Sequence, residues 1–137
     1  PYFTRDLLWG GIDVTNRIKE LLGLNPDEAE ILKRNPCERK LEISGIITPA
    51  LEKFTSEIRM SFDYFESQFG KNVERLYISG GTAYLFNMLD FLKENLEVDV
   101  ILWNPFEGIK ILDEPADKEL INSPGKFAVA MGLALRK

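Results

Sequence analysis

Histidine is absent from the chain, and cysteine occurs once, at Cys37. Without His, Ser-His-Asp triads, Cys-His dyads and His-ligated zinc cannot form within it. A single cysteine makes no intrachain disulfide, which excludes a disulfide-built secreted scaffold. Cys37 has no partner base and reads as a passive thiol. Long hydrophobic runs are also lacking, so no segment reads as a bilayer-spanning helix. Positive charge is in deficit: 17 Lys and Arg against 22 Asp and Glu give a net charge of −5. Nucleic acid and anionic membranes reward clustered Lys and Arg, so neither is expected as a direct partner. The 137 residues, 45% of them hydrophobic, make about one globular domain and no disordered tail.

Residue 1 is Pro, and no signal-peptide pattern follows it. Tyr2 to Trp9 reads as a strand, and a strand without a leader suggests a piece of a longer protein. Gly10-Gly11 ends that strand and opens a helix near Asp13 or Thr15, with Ile18, Leu21 and Leu22 as its apolar stripe and Gly23 as its cap. Asn25-Pro26 starts a short helix that Asn35-Pro36 stops. Residues 36–46 read as loop. Thr48 as N-cap and Pro49 at the first helical position predict the longest helix, with Glu52 assisting the cap. Its apolar face, Ile47, Leu51, Phe54, Ile58, Phe62, Phe65 and Phe69, alternates spacings of three and four up to Gly70. That pattern is a core face rather than an aromatic cofactor site.

Val73 to Ser79 alternates like a strand, Gly80-Gly81 closes it, and a helix is expected from about Leu85 to Asn95. Val98 to Trp103 is a third strand. The segment from Phe106 to Pro124 reads as exposed loop. Phe127 to Lys137 reads as a helix that is apolar on nearly every face and needs cover on most sides. There is no internal repeat. Strands separated by helices predict an α/β fold.

Chemistry has few places to sit. Asp6, Asp13, Asp63, Asp90, Asp99 and Asp113 are scattered, with no close pair for metal binding or two-carboxylate hydrolysis. The strongest local signal is Ser79-Gly80-Gly81-Thr82-Ala83 between a strand and a helix. Two glycines there let the backbone approach a ligand, because no Cβ intervenes. Ligands of open α/β sheets bind at that end of the strands. The pattern lacks the third glycine of a dinucleotide fingerprint and the Gly-Lys-Ser/Thr of a P-loop, so a plain tight turn explains it about as well. Gly10-Gly11 repeats the arrangement and reads first as a packing turn. Glu30 and Lys33, three apart on one helix face, read locally as a solvated ion pair.

In order, Phe3-Thr4-Arg5-Asp6, Gly10-Gly11, Thr15, Glu28 to Arg34, Glu57 to Phe65, Leu76 to Ala83, Asn104-Pro105-Phe106 and Ala128 to Arg136 resemble the type IV pilus assembly protein PilM family. These are actin-like ATPases related to the division protein FtsA. The resemblance covers nearly the whole chain. It implies part of an actin-like (ribonuclease H-like) ATPase lobe with a helical subdomain, its mixed sheet flanked by helices. Residues 1–123 would be the second, nucleotide-binding lobe without its first strands. Residues 124–137 would be the helix that packs on the first lobe, which is absent here.

The resemblance also implies roles. Gly80, Gly81 and Thr82 match the adenosine motif, Tyr84 flanks the adenine, Glu30 and Lys33 approach the ribose and adenine, and Gly11 faces the nucleotide. Two positions depart from the family pattern: Phe86-Asn87 stand where many relatives continue with Pro-Gly or Gly, and Gly125-Lys126 replace an acid that some carry. No nucleotide contact is therefore assigned to the Gly125-Lys126 stretch, and no catalytic or metal-binding residue to the chain. ATP and Mg²⁺ belong to the full-length parent, at most a weak ATPase, whose phosphate-binding hairpins lie upstream. This chain alone is expected neither to hydrolyse ATP nor to bind it tightly, because phosphoryl transfer is positioning and charge stabilisation around the phosphates. The implied partners are the first lobe and, through it, inner-membrane assembly proteins such as PilN, with a homo-oligomer also compatible. The implied place is the cytoplasmic face of the inner membrane, without direct insertion. The alternatives are a nucleotide-free interaction module with an actin-like fold and the lobe of an FtsA-like division protein.

Overall fold

The computed structural model describes residues 2–110 and 118–136. Helix α1 spans Gly11–Leu22, beginning earlier than Asp13 or Thr15 because the Asp13 carboxylate accepts from the Gly10 N–H at 2.8 Å and fixes the entry turn. Gly23 ends it in the left-handed region at φ 64°, where a Cβ would be strained. Helix α2 spans Pro26–Arg34. Its start is doubly closed: Asn25 Oδ1 accepts from the Glu28 N–H, and Glu28 Oε2 accepts from the Asn25 N–H.

Two sequence expectations fail in the next stretch. Residues 36–46 are not loop: a 3₁₀ turn at Cys37–Arg39 leads directly into α3, Lys40–Phe69. Thr48 and Pro49 therefore lie inside that helix, and Thr48 is no cap; its hydroxyl donates to the Ser44 carbonyl at 2.8 Å. Glu52 likewise lies well inside the helix. The reason is tertiary. Ile43, Ile47 and Leu51, spaced by four across the proline, are all buried to within 1% exposure. Each contributes about 1.5–3 kcal/mol of burial, which together outweighs the roughly 3 kcal/mol cost of an interior proline.

Thr55 shares that buried stripe, and its hydroxyl has no hydrogen-bond partner. Desolvating an unpaired hydroxyl is unfavourable. Thr55→Val keeps the branched shape and is expected to raise stability by about 1 kcal/mol in urea denaturation. An unchanged or lower stability would show that the hydroxyl is satisfied in solution.

Tyr2 to Trp9 is not a strand. A strand needs a hydrogen-bonded neighbour, and among the described residues the sheet holds two strands, neither of them from this segment. The segment lies along α3 instead. Trp9 stacks on Phe54 at 4.5 Å, Phe3 meets Tyr64 at 5.2 Å, and Tyr2 meets Phe69 at 4.9 Å. Arg5 fastens it by an ion pair to Glu57 and a bond to the Ser61 hydroxyl.

Strands β1, Arg75–Ile78, and β2, Asp99–Leu102, pair in parallel, with Leu76 opposite Val100 and Ile78 opposite Leu102. The expected mixed sheet is thus a parallel pair among the described residues. The connection between them contains a 3₁₀ turn, Gly81–Tyr84, and helix α4, Met88–Asn95. The helix starts three residues later than expected because Leu85 is extended and Asn87 adopts a left-handed φ of 63°. Leu85, Met88, Leu92 and Leu96 pack with Val100 in the same core as Val14, Ile18 and the α3 stripe. Tyr77 and Ile101, opposite each other, remain exposed on the other sheet face.

The expected loop from Phe106 to Pro124 contains helix α5, Lys118–Asn122, and residues 111–117 of it lie outside the described part. A 3₁₀ turn, Pro124–Phe127, leads into α6, Ala128–Ala134. No residue of α6 is buried, and Val129 and Leu133 are largely exposed. Among the described residues, no helix is long and apolar enough to cross a membrane.

Candidate functional site

At the carboxyl end of β1 the chain turns through Gly80 into Gly81–Tyr84 and opens beside a cavity of about 540 Å³. Six of the seven residues singled out from the sequence line it: Gly11 from α1, Glu30 and Lys33 from α2, and Gly81, Thr82 and Tyr84 from the 3₁₀ turn. Gly80 does not. It sits at φ 88°, where glycine is favoured, and sets the direction of the turn.

The cavity floor is a polar knot. The Lys33 ammonium donates to the Gly11 carbonyl at 3.1 Å, to the Thr15 hydroxyl at 2.8 Å and to Glu30 Oε2. Its three donors are all used within the chain. The Thr15 hydroxyl lies 2.7 Å from Glu30 Oε2 and 3.0 Å from the Gly11 carbonyl, while Arg34 Nε donates to Glu30 Oε1 at 3.0 Å. The pair that the sequence presents as solvated is therefore mostly enclosed, with the Lys33 side chain 11% exposed and that of Glu30 35%. Burial pushes the Glu30 carboxyl up, but hydrogen bonds from Lys33 and Thr15, with the adjacent positive charge and Arg34, bring its pKa down to about 2. Glu30 is thus a fixed carboxylate with part of its surface facing the cavity, suited to accept hydrogen bonds from ligand hydroxyl groups.

The glycines matter here for space. A Cβ on Gly11 would lie 3.3 Å from both Lys33 Nζ and Thr82 Oγ1, so a side chain there crowds the floor. A Cβ on Gly81 meets nothing within 4 Å, and a larger side chain would occupy open space beside the turn.

The far wall was not legible in the sequence. Asn122 and Ser123 line it with Lys126, whose ammonium donates to Glu119 Oε1 at 2.7 Å. Arg34 Nη1 stands 3.8 Å from the same Glu119 oxygen, so that acid bridges α2 to the C-terminal turn across the cavity. The stretch to which the resemblance assigned no contact therefore borders the cavity. Lys33, Arg34 and Lys126 against Glu30 and Glu119 leave the lining with one net positive charge among the described residues. A lining of this size and mixture, apolar at Ile12 and Leu85 and polar elsewhere, fits a nucleoside-sized ligand. The described residues contain no group of three His, Cys, Asp or Glu arranged to hold a metal ion.

The family model for type IV pilus assembly protein PilM matches residues 2–137. Among solved structures, a chain of the PilM-PilN type IV pilus biogenesis complex is similar with a TM-score of 0.78 and 31% sequence identity. The similarity covers 92% of this chain and 36% of that one, so this chain spans about a third of the solved chain's length.

Proposed function

The chain belongs to the type IV pilus assembly protein PilM family, and we propose that it forms the adenosine side of an ATP-binding cleft in an actin-like assembly scaffold. One observation carries the reading. Residues from α1, α2 and the turn after β1, separated by up to 73 positions between Gly11 and Tyr84, converge on a single nucleoside-sized cavity. Glu30 accepts ribose hydroxyls, the Gly81-Thr82 backbone passes along the nucleoside, and the Tyr84 ring closes one side. Mg²⁺ and the phosphates are assigned to the upstream hairpins that the resemblance implies, so the reading gives this chain binding and orientation but no bond-breaking step. The same reading makes α6 the helix that meets the first lobe, an assignment supported by its lack of buried residues. PilN engages that lobe, and the assembly works at the cytoplasmic face of the inner membrane.

Calorimetry on the intact protein with Mg²⁺ and ATP or ADP tests this. Gly81→Val puts a branched side chain beside the ligand path without a backbone clash. It is expected to weaken nucleotide binding about tenfold or more while leaving the melting temperature near that of wild type. Nucleotide bound equally well by Gly81→Val would remove the turn from the site. No binding by the wild type would favour the nucleotide-free interaction module, the second reading, to which the internal use of all three Lys33 donors lends support.

A further inference from the structure

Gly125 is buried in the 3₁₀ turn that leads into α6. Its N–H donates to the Tyr84 hydroxyl at 2.8 Å, and its carbonyl accepts from the Gly80 N–H at 3.0 Å. Both bonds end on the Gly80 to Tyr84 turn that borders the cavity. The fit has no spare room: a Cβ on Gly125 would lie 3.0 Å from Tyr84 Oη and 3.3 Å from the Trp103 carbonyl oxygen. The next residue, Lys126, donates to Glu119 at the same cavity wall. Beyond it α6 buries no residue of its own, and Phe127, just before the helix, meets Phe106 at 6.1 Å. The placement of α6 therefore depends on how the turn before it is held.

We infer that Tyr84 is a positioning residue: its hydroxyl, acting through Gly125, ties α6 to the cavity wall, so that cavity occupancy and α6 placement are linked. The tie itself follows from the geometry; its response to nucleotide rests on the function proposed above. A ligand that presses on the Tyr84 ring moves the hydroxyl, and the turn at Gly125 must follow or leave a buried N–H unpaired, which is costly. α6, with no buried side chains of its own, moves with the turn. Tyr84 thus does more than flank a base, since its polar end is committed to the backbone of a different element.

Hydrogen exchange on the intact protein, read over the α6 amides, tests this with Tyr84→Phe, Gly125→Ala and the double variant. Tyr84→Phe keeps the ring against the cavity and removes one oxygen. It is expected to speed exchange in α6 about tenfold without any ligand, the scale of one lost hydrogen bond to a buried amide. In the double variant the missing oxygen makes room for the new methyl, so Gly125→Ala is expected to cost less there than in the Tyr84 background. Wild-type exchange rates in α6 of ligand-free Tyr84→Phe overturn the inference, as do strictly additive effects in the cycle. If Gly125→Ala fails to fold, Tyr84→Phe alone decides. Mg-ADP is expected to alter α6 exchange in the wild type and to do so less in Tyr84→Phe; an equal response in both overturns the link. If calorimetry finds that the wild type binds no Mg-ADP, the nucleotide reading falls, and the ligand-free comparison still rules on the tie.

Discussion

Lys33→Ala is expected to destabilise the protein by about 2–3 kcal/mol, measured as the loss in urea-unfolding free energy near neutral pH. The ammonium is a shared donor for three acceptors on two helices, the Gly11 carbonyl, the Thr15 hydroxyl and Glu30. Removing it leaves a carboxylate and a carbonyl at the cavity floor with fewer partners, and it uncouples α2 from the first turn of α1. The upper limit of about 5 kcal/mol for breaking a buried pair does not apply, because the Glu30 side chain is 35% exposed and keeps Arg34 at 3.0 Å.

The pH dependence has a definite sign. A carboxyl whose pKa is lower in the folded chain stabilises that chain above its unfolded value. Glu30 falls from 4.5 to about 2, so its contribution is complete above about pH 4.5 and is lost as pH falls through about 2. The full shift corresponds to about 3 kcal/mol, and solvent screening at a partly exposed group reduces this to about 1–2 kcal/mol. Lys33→Ala should therefore flatten the acid limb of the stability profile between those values. Equal stability of variant and wild type near neutral pH, with an unchanged acid limb, would show that the knot does not hold the two helices together.

Pro49→Ala is expected to stabilise the protein by about 2 kcal/mol. Pro49 is exposed and lies inside a helix of 30 residues. An interior proline costs about 3 kcal/mol relative to alanine, because it supplies no N–H to the carbonyl four residues back and its ring crowds that carbonyl. Replacing it also gives the unfolded chain more freedom, which returns up to about 1 kcal/mol. The carbonyl concerned is that of Gly45, which the alanine N–H can then engage. Thermal and urea unfolding both read the change. A loss of stability in Pro49→Ala would mean that α3 needs the proline's local geometry to keep Ile47 and Leu51 in the core on either side of it.

These two predictions sit where sequence reading was weakest, for different reasons. Thr48-Pro49 carries a strong local start signal, and local signals are what a sequence displays most directly. The competing signal was also present: Ile43 continues the spacing of four through Ile47 and Leu51, a stripe that runs past the proline. Choosing between them depends on whether those residues are buried, and burial is a property of the packed chain. For Glu30 and Lys33 the spacing of three was visible, but enclosure depends on Thr15 and Gly11 arriving from another helix. The Tyr2 to Trp9 segment shows the same limit. Read alone it is a strand, yet without a neighbouring strand its aromatic residues pack on α3.

The sequence alone determined the helix start at Asn25-Pro26, the cap at Gly23, the helix end at Gly70, the two strands and the Gly-Gly turn after β1, because these depend on backbone permissions and short-range hydrogen bonds. It also determined which residues on α1, α2 and that turn deserved notice. Only the tertiary structure decided that they share one cavity, that Lys33 is held from within, that Asn122, Ser123 and Lys126 form the opposite wall, and that Gly125 is tied to Tyr84. The physical reason is separation along the chain. Tyr84 and Gly125 lie 41 residues apart, and nothing in the local pattern of either encodes the other. Their contact exists because the core of α3, α4 and the two strands brings both turns to the same end of the sheet.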